Sequence, residues 1–144
     1  MEYLLSPEKK WSHTLTVPFI YAVFLVAILL DIIVELYHRV CFPVYGIPLV
    51  PREAYIKIDR HKLEYLTLIQ KLHCMYCGYV NGLFRYVTAI GAKTEKYWCA
   101  IQHKQNPHEI FAAPDYQDAF LPYNDKEAFE QFRQTEKRSQ KQYE

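Results

Sequence analysis

A charge-free apolar stretch near the N-terminus constrains this chain more than any other feature. Residues Thr14 to Leu30 carry no charged side chain, and the apolar character continues to Tyr37 at the cost of two carboxylates. About 20 mostly apolar residues in a helix cross the ~30 Å hydrocarbon core of a bilayer. Trp11 and Tyr37 place an aromatic side chain near either end, as interfacial anchors do. The stretch therefore predicts a transmembrane helix over residues 14–38.

Two other structures produce a similar stretch. One is the core helix of a soluble protein, but the other helices predicted below are too short to cover so apolar a rod. The second is a cleaved signal peptide, whose apolar part is only about 7–15 residues long and is followed by a small-residue cleavage site. The residues that follow this stretch, HRVCFP, offer no such site.

The distribution of basic residues predicts the orientation of the helix. Lys9 and Lys10 precede it, and several basic residues follow it: Arg39, Arg52, Lys57, Arg60, Lys62 and Lys71. Cytoplasmic flanks of membrane helices carry the excess of Lys and Arg. We therefore predict a single-pass protein of the bacterial inner membrane, with its N-terminus outside and its C-terminal domain in the cytoplasm.

The composition excludes several classes of function. A length of 144 residues suits one domain, and a net charge of +1 offers no basic field to nucleic acid. Only 4 glycines are present, and no phosphate-binding or dinucleotide-binding glycine motif occurs. We expect neither a nucleic-acid partner nor a nucleotide.

For the rest of the chain, the sequence pattern predicts short helices separated by proline-rich turns. Asp59, Asn81 and Thr94 each begin a helical pattern, and Gly91 is a candidate helix stop. The predicted fold is mainly α, with the transmembrane helix followed by a small helical domain that a metal ion staples at a cysteine knuckle. The predicted segments are an N-terminal segment 1–13, the transmembrane helix 14–38, a Pro-rich linker 39–58, the metal-binding domain 59–123 and a polar C-terminal helix or tail 124–144.

Two pairs of residues have the spacing of metal ligands. Cys74 and Cys77 form a C-x2-C pair, and Cys99 and His103 stand four residues apart on a predicted short helix. Three thiolates and one imidazole suit a tetrahedral ion, with zinc favoured over iron. His73 is a rival fourth ligand. Redox thiols and inert buried cysteines are the alternatives.

The metal prediction requires the backbone to break. In an unbroken helix from Asp59 to Gly91 with an antiparallel return, the two ligand pairs would miss each other by roughly 9 Å, at 1.5 Å per residue. A knuckle after Cys77, with Gly78 supplying an unusual backbone angle, would bring them together.

One face of the predicted transmembrane helix is polar at its inner end. Asp31, Glu35 and His38 recur at helical spacing, so that they share one side. The face is either a polar seam that binds a metal or a partner, or the point where the helix leaves the membrane.

Two resemblances attach to the cysteine region. The segments HCMYCGYVNG and EKYWCAIQH resemble a family of small bacterial membrane-associated proteins without assigned function, over roughly residues 59–104. That resemblance implies a shared site but no activity. Separately, CMYCGY is similar to the first knuckle of rubredoxins. The second knuckle differs, because His103 follows Cys99 where rubredoxins have the second cysteine of a C-x2-C pair, one residue earlier.

The leading hypothesis is therefore a membrane-anchored metal-binding protein that acts as an accessory subunit of a membrane complex. Its partners would be the bilayer and either a membrane protein or a second copy of the chain. The alternative is an iron-containing electron-transfer protein that serves a membrane enzyme. An enzyme is less favoured and would use polar groups near the membrane: Asp31, His38, His61, Glu64 and His108.

Overall fold

The computed structural model describes residues 10–106 and 108–141. Residues 1–9 of the predicted N-terminal segment, among them Lys9, and residues 142–144 lie outside this range. The described part contains three α-helices and no strand: α1 (Lys10–Tyr45), α2 (Leu68–Trp98) and α3 (Lys126–Lys141). Three short 3-10 turns complete it, over Arg52–Ala54, Arg60–Lys62 and Asp115–Ala119. The prediction of a mainly helical chain with one apolar N-terminal helix is confirmed.

The chain divides into two compact units, Met1–Ile90 and Gly91–Glu144. The first contains α1, the loop 46–67 and most of α2. The second contains the last turns of α2, the irregular segment that follows and α3.

Helix α1 is longer than the predicted membrane segment. It continues through Pro43 to Tyr45, where a Pro-rich linker was expected to have begun at residue 39. Pro43 lies in the last turn, so its missing N–H removes one i→i−4 hydrogen bond close to the point where the helix ends. Gly46 then adopts a left-handed φ of 67°, and the Ile47 N–H donates to the Phe42 carbonyl at 2.9 Å, so that the helix ends here.

Helix α2 begins later than the sequence pattern predicted. Asp59 precedes only a 3-10 turn, and the helix starts after Thr67. The Thr67 N–H donates to Gln70 Oε1 at 2.9 Å, while the Gln70 N–H donates to Thr67 Oγ1 at 3.4 Å. This reciprocal pair is a capping box of the T-x-x-Q type, which satisfies otherwise unpaired N–H groups of the first turn.

The predicted cysteine knuckle is wrong. Helix α2 runs without a break through Cys74, Cys77 and Asn81, and Gly91 does not stop it. The reason for a glycine after Cys77 is space, not an unusual backbone angle. A Cβ on Gly78 would lie 3.1 Å from the Lys57 carbonyl oxygen, because the loop crosses the helix there.

Gly82 serves the same purpose one turn later. A Cβ at this position would approach the Tyr55 carbonyl oxygen to 2.8 Å and the Ile56 Cα to 2.9 Å. Real Cβ atoms do not approach backbone that closely, so only glycine lets the loop rest on α2 here.

Helices α1 and α2 run parallel to each other within the first unit. Tyr76 contacts Phe24 with ring centroids 5.5 Å apart, and Tyr86 contacts His38 at 5.8 Å, so that both helices advance in the same direction. Loop 46–67 runs in the opposite direction, from the end of α1 to the start of α2, and contacts both helices. The buried hydrophobic residues of this core are Ala27, Phe42, Val50, Val80, Leu83, Tyr86 and Ile90.

In the second unit, α2 ends where Ala100 takes a left-handed φ of 52°. Ile101 then pairs with Leu121 in an isolated bridge, in which the Gln102 N–H donates to the Leu121 carbonyl at 2.8 Å. The expected short helix over residues 94–104 is therefore replaced by the end of α2 and an extended segment.

Helix α3 is capped by Asp125, whose Oδ1 accepts the Ala128 N–H at 2.9 Å. The preceding residue, Asn124, lies in the left-handed region, at a φ of 59°.

Helix α1 has the length and composition to cross a membrane. The candidate span is Thr14–Tyr45, and only 6% of its most apolar 18-residue window is buried within the protein. A core helix of a soluble protein would be mostly buried, so this exposure argues against that alternative. A signal sequence shares the position and composition of α1.

Candidate functional site

The polar face predicted on α1 faces the other elements of the first unit. Asp31, Glu35 and His38 lie on the covered side of the helix, where the loop and α2 pack. Three further residues complete what we call the polar cluster. They are Arg52 from the loop, and Tyr79 and Tyr86 from α2.

Asp31 is the most heavily bonded carboxylate of the cluster. Arg52 Nη1 donates to its Oδ1 at 2.5 Å and Arg52 Nη2 to its Oδ2 at 2.6 Å, a two-pronged ion pair. The Tyr79 hydroxyl donates to Oδ2 at 2.7 Å. Charge-assisted bonds of this kind are stronger than neutral ones, so this carboxylate holds both the loop and α2 against α1.

Glu35 makes a second set of contacts one turn further along α1. Its Oε1 accepts from Arg39 Nε at 2.6 Å, and its Oε2 accepts from the Tyr86 hydroxyl at 2.9 Å. Arg52 Nη1 lies 3.7 Å from the same Oε2, and the guanidinium carbon lies 5.5 Å from the centre of the Tyr86 ring. Arg52 therefore links the two carboxylates and one aromatic face.

The hydrogen bonds of His38 define its tautomer. The side chain is 3% exposed, and its Nε2 accepts the Val50 N–H at 2.9 Å. In a neutral imidazole the proton must then lie on Nδ1, which is 3.0 Å from the Tyr86 hydroxyl oxygen. Because Tyr86 in turn donates to Glu35, one directed chain runs from Val50 through His38 and Tyr86 to Glu35.

The cluster shifts the pKa values of its loop and α2 members. Burial, followed by the hydrogen bond to Asp31, raises the pKa of Tyr79 to about 12. Burial, followed by the hydrogen bond to Glu35, raises the pKa of Tyr86 to about 12. Hydrogen bonding to Asp31 raises the pKa of Arg52 above its ordinary value. Both tyrosines therefore stay neutral, and Arg52 stays charged, at any physiological pH.

This arrangement is a structural clamp. The hydroxyls of Tyr79 and Tyr86 are committed to carboxylates, the guanidinium is committed to Asp31, and the imidazole nitrogens face Val50 and Tyr86. Chemistry on a substrate requires a group that can reach it, whereas these groups are occupied in holding loop 46–67 to both helices. The geometry supports a role in positioning.

The structure does not assemble the predicted metal site. Cys74 and Cys77 lie on α2 inside the first unit, Cys99 follows the end of that helix, and His103 lies in the extended segment beyond it. Among the described residues, no three His, Cys, Asp or Glu side chains are grouped so that they could hold an ion. Cys99 and His103 do not share a helix turn, because α2 ends before both.

His73, the rival ligand, precedes Cys74 on the same helix. Its Nδ1 is buried without a hydrogen-bond partner, as is that of His61 in the loop. His61 and Glu64 of the enzyme hypothesis lie in the segment before α2, and His108 belongs to the second unit, so that only Asp31 and His38 of that set are brought together.

A smaller polar group holds the second unit together. Glu95 accepts the Tyr116 hydroxyl at 2.9 Å through Oε2 and the Gln117 amide at 2.7 Å through Oε1. Gln117 is 3% exposed, and its backbone carbonyl accepts from the Gln102 amide at 3.2 Å. Burial and the bond to Glu95 raise the pKa of Tyr116. These contacts fasten the turn 115–119 to the end of α2.

Three members of the polar cluster were not found from the sequence. Arg52 stands in a Pro-rich segment that was expected to be a linker, and nothing in that segment distinguishes it from the other basic residues. Tyr79 and Tyr86 carry a signal, because they stand seven residues apart on the apolar stripe of α2. A buried tyrosine needs a partner for its hydroxyl, and the acidic face of α1 was the available candidate.

No protein-family model, curated protein or solved structure matches this chain. The function must therefore be argued from the geometry alone.

Proposed function

We propose that this protein is a membrane-anchored accessory protein, in which α1 lies in the bilayer and the remaining chain binds a membrane-protein partner. The observation that supports the anchor is the exposed side of α1. From Leu15 to Val44 this side presents large apolar residues, with Arg39 as its one charged member in the described chain. At 1.5 Å per residue the strip is about 45 Å long, which exceeds the ~30 Å of hydrocarbon that it must match.

The residue types on this strip favour lipid over a second helix as its neighbour. Helices that pack on each other in membranes use small residues that let the backbones approach. The strip instead carries mostly branched and aromatic side chains, with Thr16 and Ala22 as small members, whereas Ala27 lies on the covered side. The exposed large residues are Leu15, Phe19, Ile20, Tyr21, Val23, Leu25, Val26, Ile28, Leu29, Ile32, Ile33, Leu36, Val40 and Val44.

The anchor is tested by placing charge on the exposed strip. In the double variant Leu25→Lys/Leu29→Lys, each lysine near the helix centre costs about 2.5–3.5 kcal/mol of insertion free energy. We expect the full chain to leave the alkali-resistant membrane fraction. The matched control is Phe84→Lys, an exposed apolar residue of α2, which should leave the protein in the membrane. Retention of the double variant would contradict the anchor.

The orientation of the anchor is part of the same proposal. The excess of basic residues after α1 supports an outside N-terminus and a cytoplasmic C-terminal domain. Reporters fused to the C-terminus decide it: a cytoplasmic reporter should be active and a periplasmic one inactive. An active periplasmic reporter would reverse the orientation, and loss of residues before the reporter would identify α1 as a cleaved signal sequence.

The accessory role is supported by apolar side chains that the second unit leaves exposed. Ile110 is fully exposed and Phe111 is 56% exposed beside it, in a segment without regular structure. The variant Ile110→Ser/Phe111→Ser should release a partner that co-purifies with the wild-type chain from solubilised membranes, while Phe84→Ser should keep it. A wild-type chain that purifies as a monomer without partners would contradict this role.

A bound metal is the finer part of the proposal, and the continuous path of α2 counts against a four-ligand site. Elemental analysis of the purified chain decides it. If the wild-type chain binds one equivalent of zinc, and both Cys77→Ser and Cys99→Ser lose it, the result would support a site formed by Cys74, Cys77, Cys99 and His103. Bound iron with visible absorption would favour the electron-transfer alternative. No contact among the described residues favours iron over zinc.

A further inference from the structure

We infer that the start of α2 and the loop before it rest on the negatively charged headgroups of the membrane that holds α1. We call residues 57–72 the interfacial segment. The inference depends on the proposed anchor, because it places this segment by its position beside α1. It adds a second contact with the membrane that is independent of the helix that enters the hydrocarbon.

The first observation is an apolar stripe of α2 that is buried in the middle of the helix and exposed at its start. Along α2 the stripe that packs on α1 includes Leu83, Tyr86 and Ile90, which are buried. Counting back by three and four residues, the same stripe reaches Leu72 and Leu68, which are 51% and 75% exposed. Ile69 and Tyr65 beside them are also exposed. The side of α2 that is buried in its middle is therefore open at its beginning, and an apolar phase must cover it.

The second observation is the charge of the residues around this exposed apolar surface. Lys57, Arg60, Lys62 and Lys71 belong to the segment, against two carboxylates, Asp59 and Glu64. Lys57 is engaged by Asp59 at 3.4 Å. Within the described chain, no ion pair holds the other three cations. Basic residues next to exposed leucines form a surface that suits a bilayer, since the leucines reach acyl chains while the cations meet headgroup phosphates.

The third observation is position. Because α2 runs parallel to α1, the beginning of α2 lies beside the N-terminal part of the candidate span. The Tyr76 hydroxyl is 3.4 Å from the Ile20 carbonyl oxygen, and its ring packs on Phe24. The interfacial segment precedes Tyr76 and continues toward the same end. A bilayer around α1 is therefore the apolar and anionic phase within reach of Leu68, Ile69 and Leu72.

The occupant that fits these observations is an anionic lipid surface. A neutral apolar partner would leave three unpaired cations, and a soluble acidic partner would leave the leucines exposed to water. Each basic residue near such a surface strengthens the attachment about fivefold at low salt, and the effect weakens as salt screens it. Because the segment lies toward the N-terminal end of α1, the surface belongs to the leaflet at that end.

The test uses the full chain in nanodiscs, which leave both membrane faces open to solvent. Hydrogen exchange of the backbone amides 66–75 is compared between nanodiscs of phosphatidylcholine alone and nanodiscs that also contain phosphatidylglycerol. Amides 83–90 of the same helix serve as the internal reference. We expect the amides of the interfacial segment to exchange at least about fivefold more slowly in the anionic discs, the effect of one basic contact. High salt should reduce the difference.

A charge variant and a matched control complete the design. Arg60→Gln/Lys62→Gln/Lys71→Gln should abolish the difference between the two lipids. Arg85→Gln, an exposed cation of α2 that lies beyond the interfacial segment, should preserve it. Equal exchange in both lipids, or equal behaviour of the triple variant and the control, would overturn the inference. A chain that fails to enter nanodiscs at all would instead refute the anchor, so that the two failures are distinguishable.

Discussion

At the scale of single residues, Asp31 joins three elements of the first unit. Its carboxylate binds the loop through Arg52 and α2 through Tyr79, so that its removal would leave a guanidinium and a hydroxyl unpaired at once. A carboxylate on a membrane helix is costly unless it faces protein and is paired. Asp31 meets both conditions, which gives a structural reason for an acidic residue at the end of the apolar stretch.

The Asp31–Arg52 pair should behave as a coupled unit. We expect Asp31→Asn and Arg52→Gln each to lower the free energy of unfolding by about 2–3 kcal/mol, because each leaves a partly buried charge without its partner. The double variant should cost clearly less than the sum of the two. Denaturation of the full chain in detergent measures all three.

The control for this pair is Arg39→Gln. The Arg39 side chain is 71% exposed and pairs with Glu35 one helical turn away. Exposed pairs of this kind contribute about 0.5 kcal/mol or less. Strict additivity of the Asp31 and Arg52 variants, or an Arg39 variant as damaging as either, would show that the pair does not hold the loop.

The two tyrosines of the cluster predict sensitivity to alkali. In the unfolded chain they ionise near pH 10, whereas in the fold the pKa of each is raised to about 12. The folded state therefore keeps these protons when the unfolded state has lost them. Their contribution to stability is complete below pH 10 and is lost as the pH rises from about 10 to 12.

The measurement is the free energy of unfolding across this pH range, with tyrosinate absorbance followed in parallel. Tyr79→Phe/Tyr86→Phe should flatten the alkaline decline, while Tyr123→Phe, an exposed residue of the second unit, should not. A decline of the same slope in the double variant would assign it to other groups.

At the scale of helices, two glycines of α2 differ in what surrounds them. Gly82→Ala places a Cβ 2.8 Å from a loop carbonyl, and the backbone there cannot yield without moving the loop. Gly91→Ala meets no atom within 4 Å. We expect the first to destabilise the fold by about 2 kcal/mol and the second to stabilise it by up to about 1 kcal/mol, since alanine is the better helix former.

Thermal unfolding of the two variants separates packing from helix propensity. Because both substitutions are the same and both lie in α2, the difference between them reports only the loop contact. Two variants of equal stability would mean that the loop does not rest on the helix at Gly82.

The two long helices differ in how much of their structure the sequence predicts. The apolar run of α1 and its polar face follow from side-chain pattern alone, since both repeat along one helix. The path of α2 does not. Cys74 and Cys77 with a following glycine have the spacing of a knuckle, yet the segment is helical because the Thr67–Gln70 capping box starts a helix and the apolar stripe continues through it. The contacts of Gly78 and Gly82 depend on where the loop lies, which no local pattern encodes.

At the scale of the whole molecule, the described fold has a reason for its stability that does not involve metal. The first unit has an apolar core and the polar cluster, and the second has the Glu95 contacts. A structural metal is needed where a small domain lacks such a core. We therefore expect a strong chelator to leave the helical content and the protease resistance of residues 59–123 unchanged.

Circular dichroism and limited proteolysis of the detergent-solubilised chain, with and without chelator, provide the measurement. Cys77→Ser and Cys41→Ser should then have similar, small effects on stability. A large loss of resistance on chelation, repeated in Cys77→Ser but not in Cys41→Ser, would contradict the metal-free fold.

The parallel course of α1 and α2 has a consequence for the order of events during synthesis. Antiparallel helices can close as soon as the second emerges, but here the partners of α1 are distant in sequence: Tyr86 is 48 residues after His38, and Tyr79 is 48 residues after Asp31. At about 5–20 residues per second, α1 leaves the ribosome several seconds before its polar face can be covered. During that interval Asp31, Glu35 and His38 lack their partners, so that in the proposed anchor they must face water or headgroups until α2 has been made.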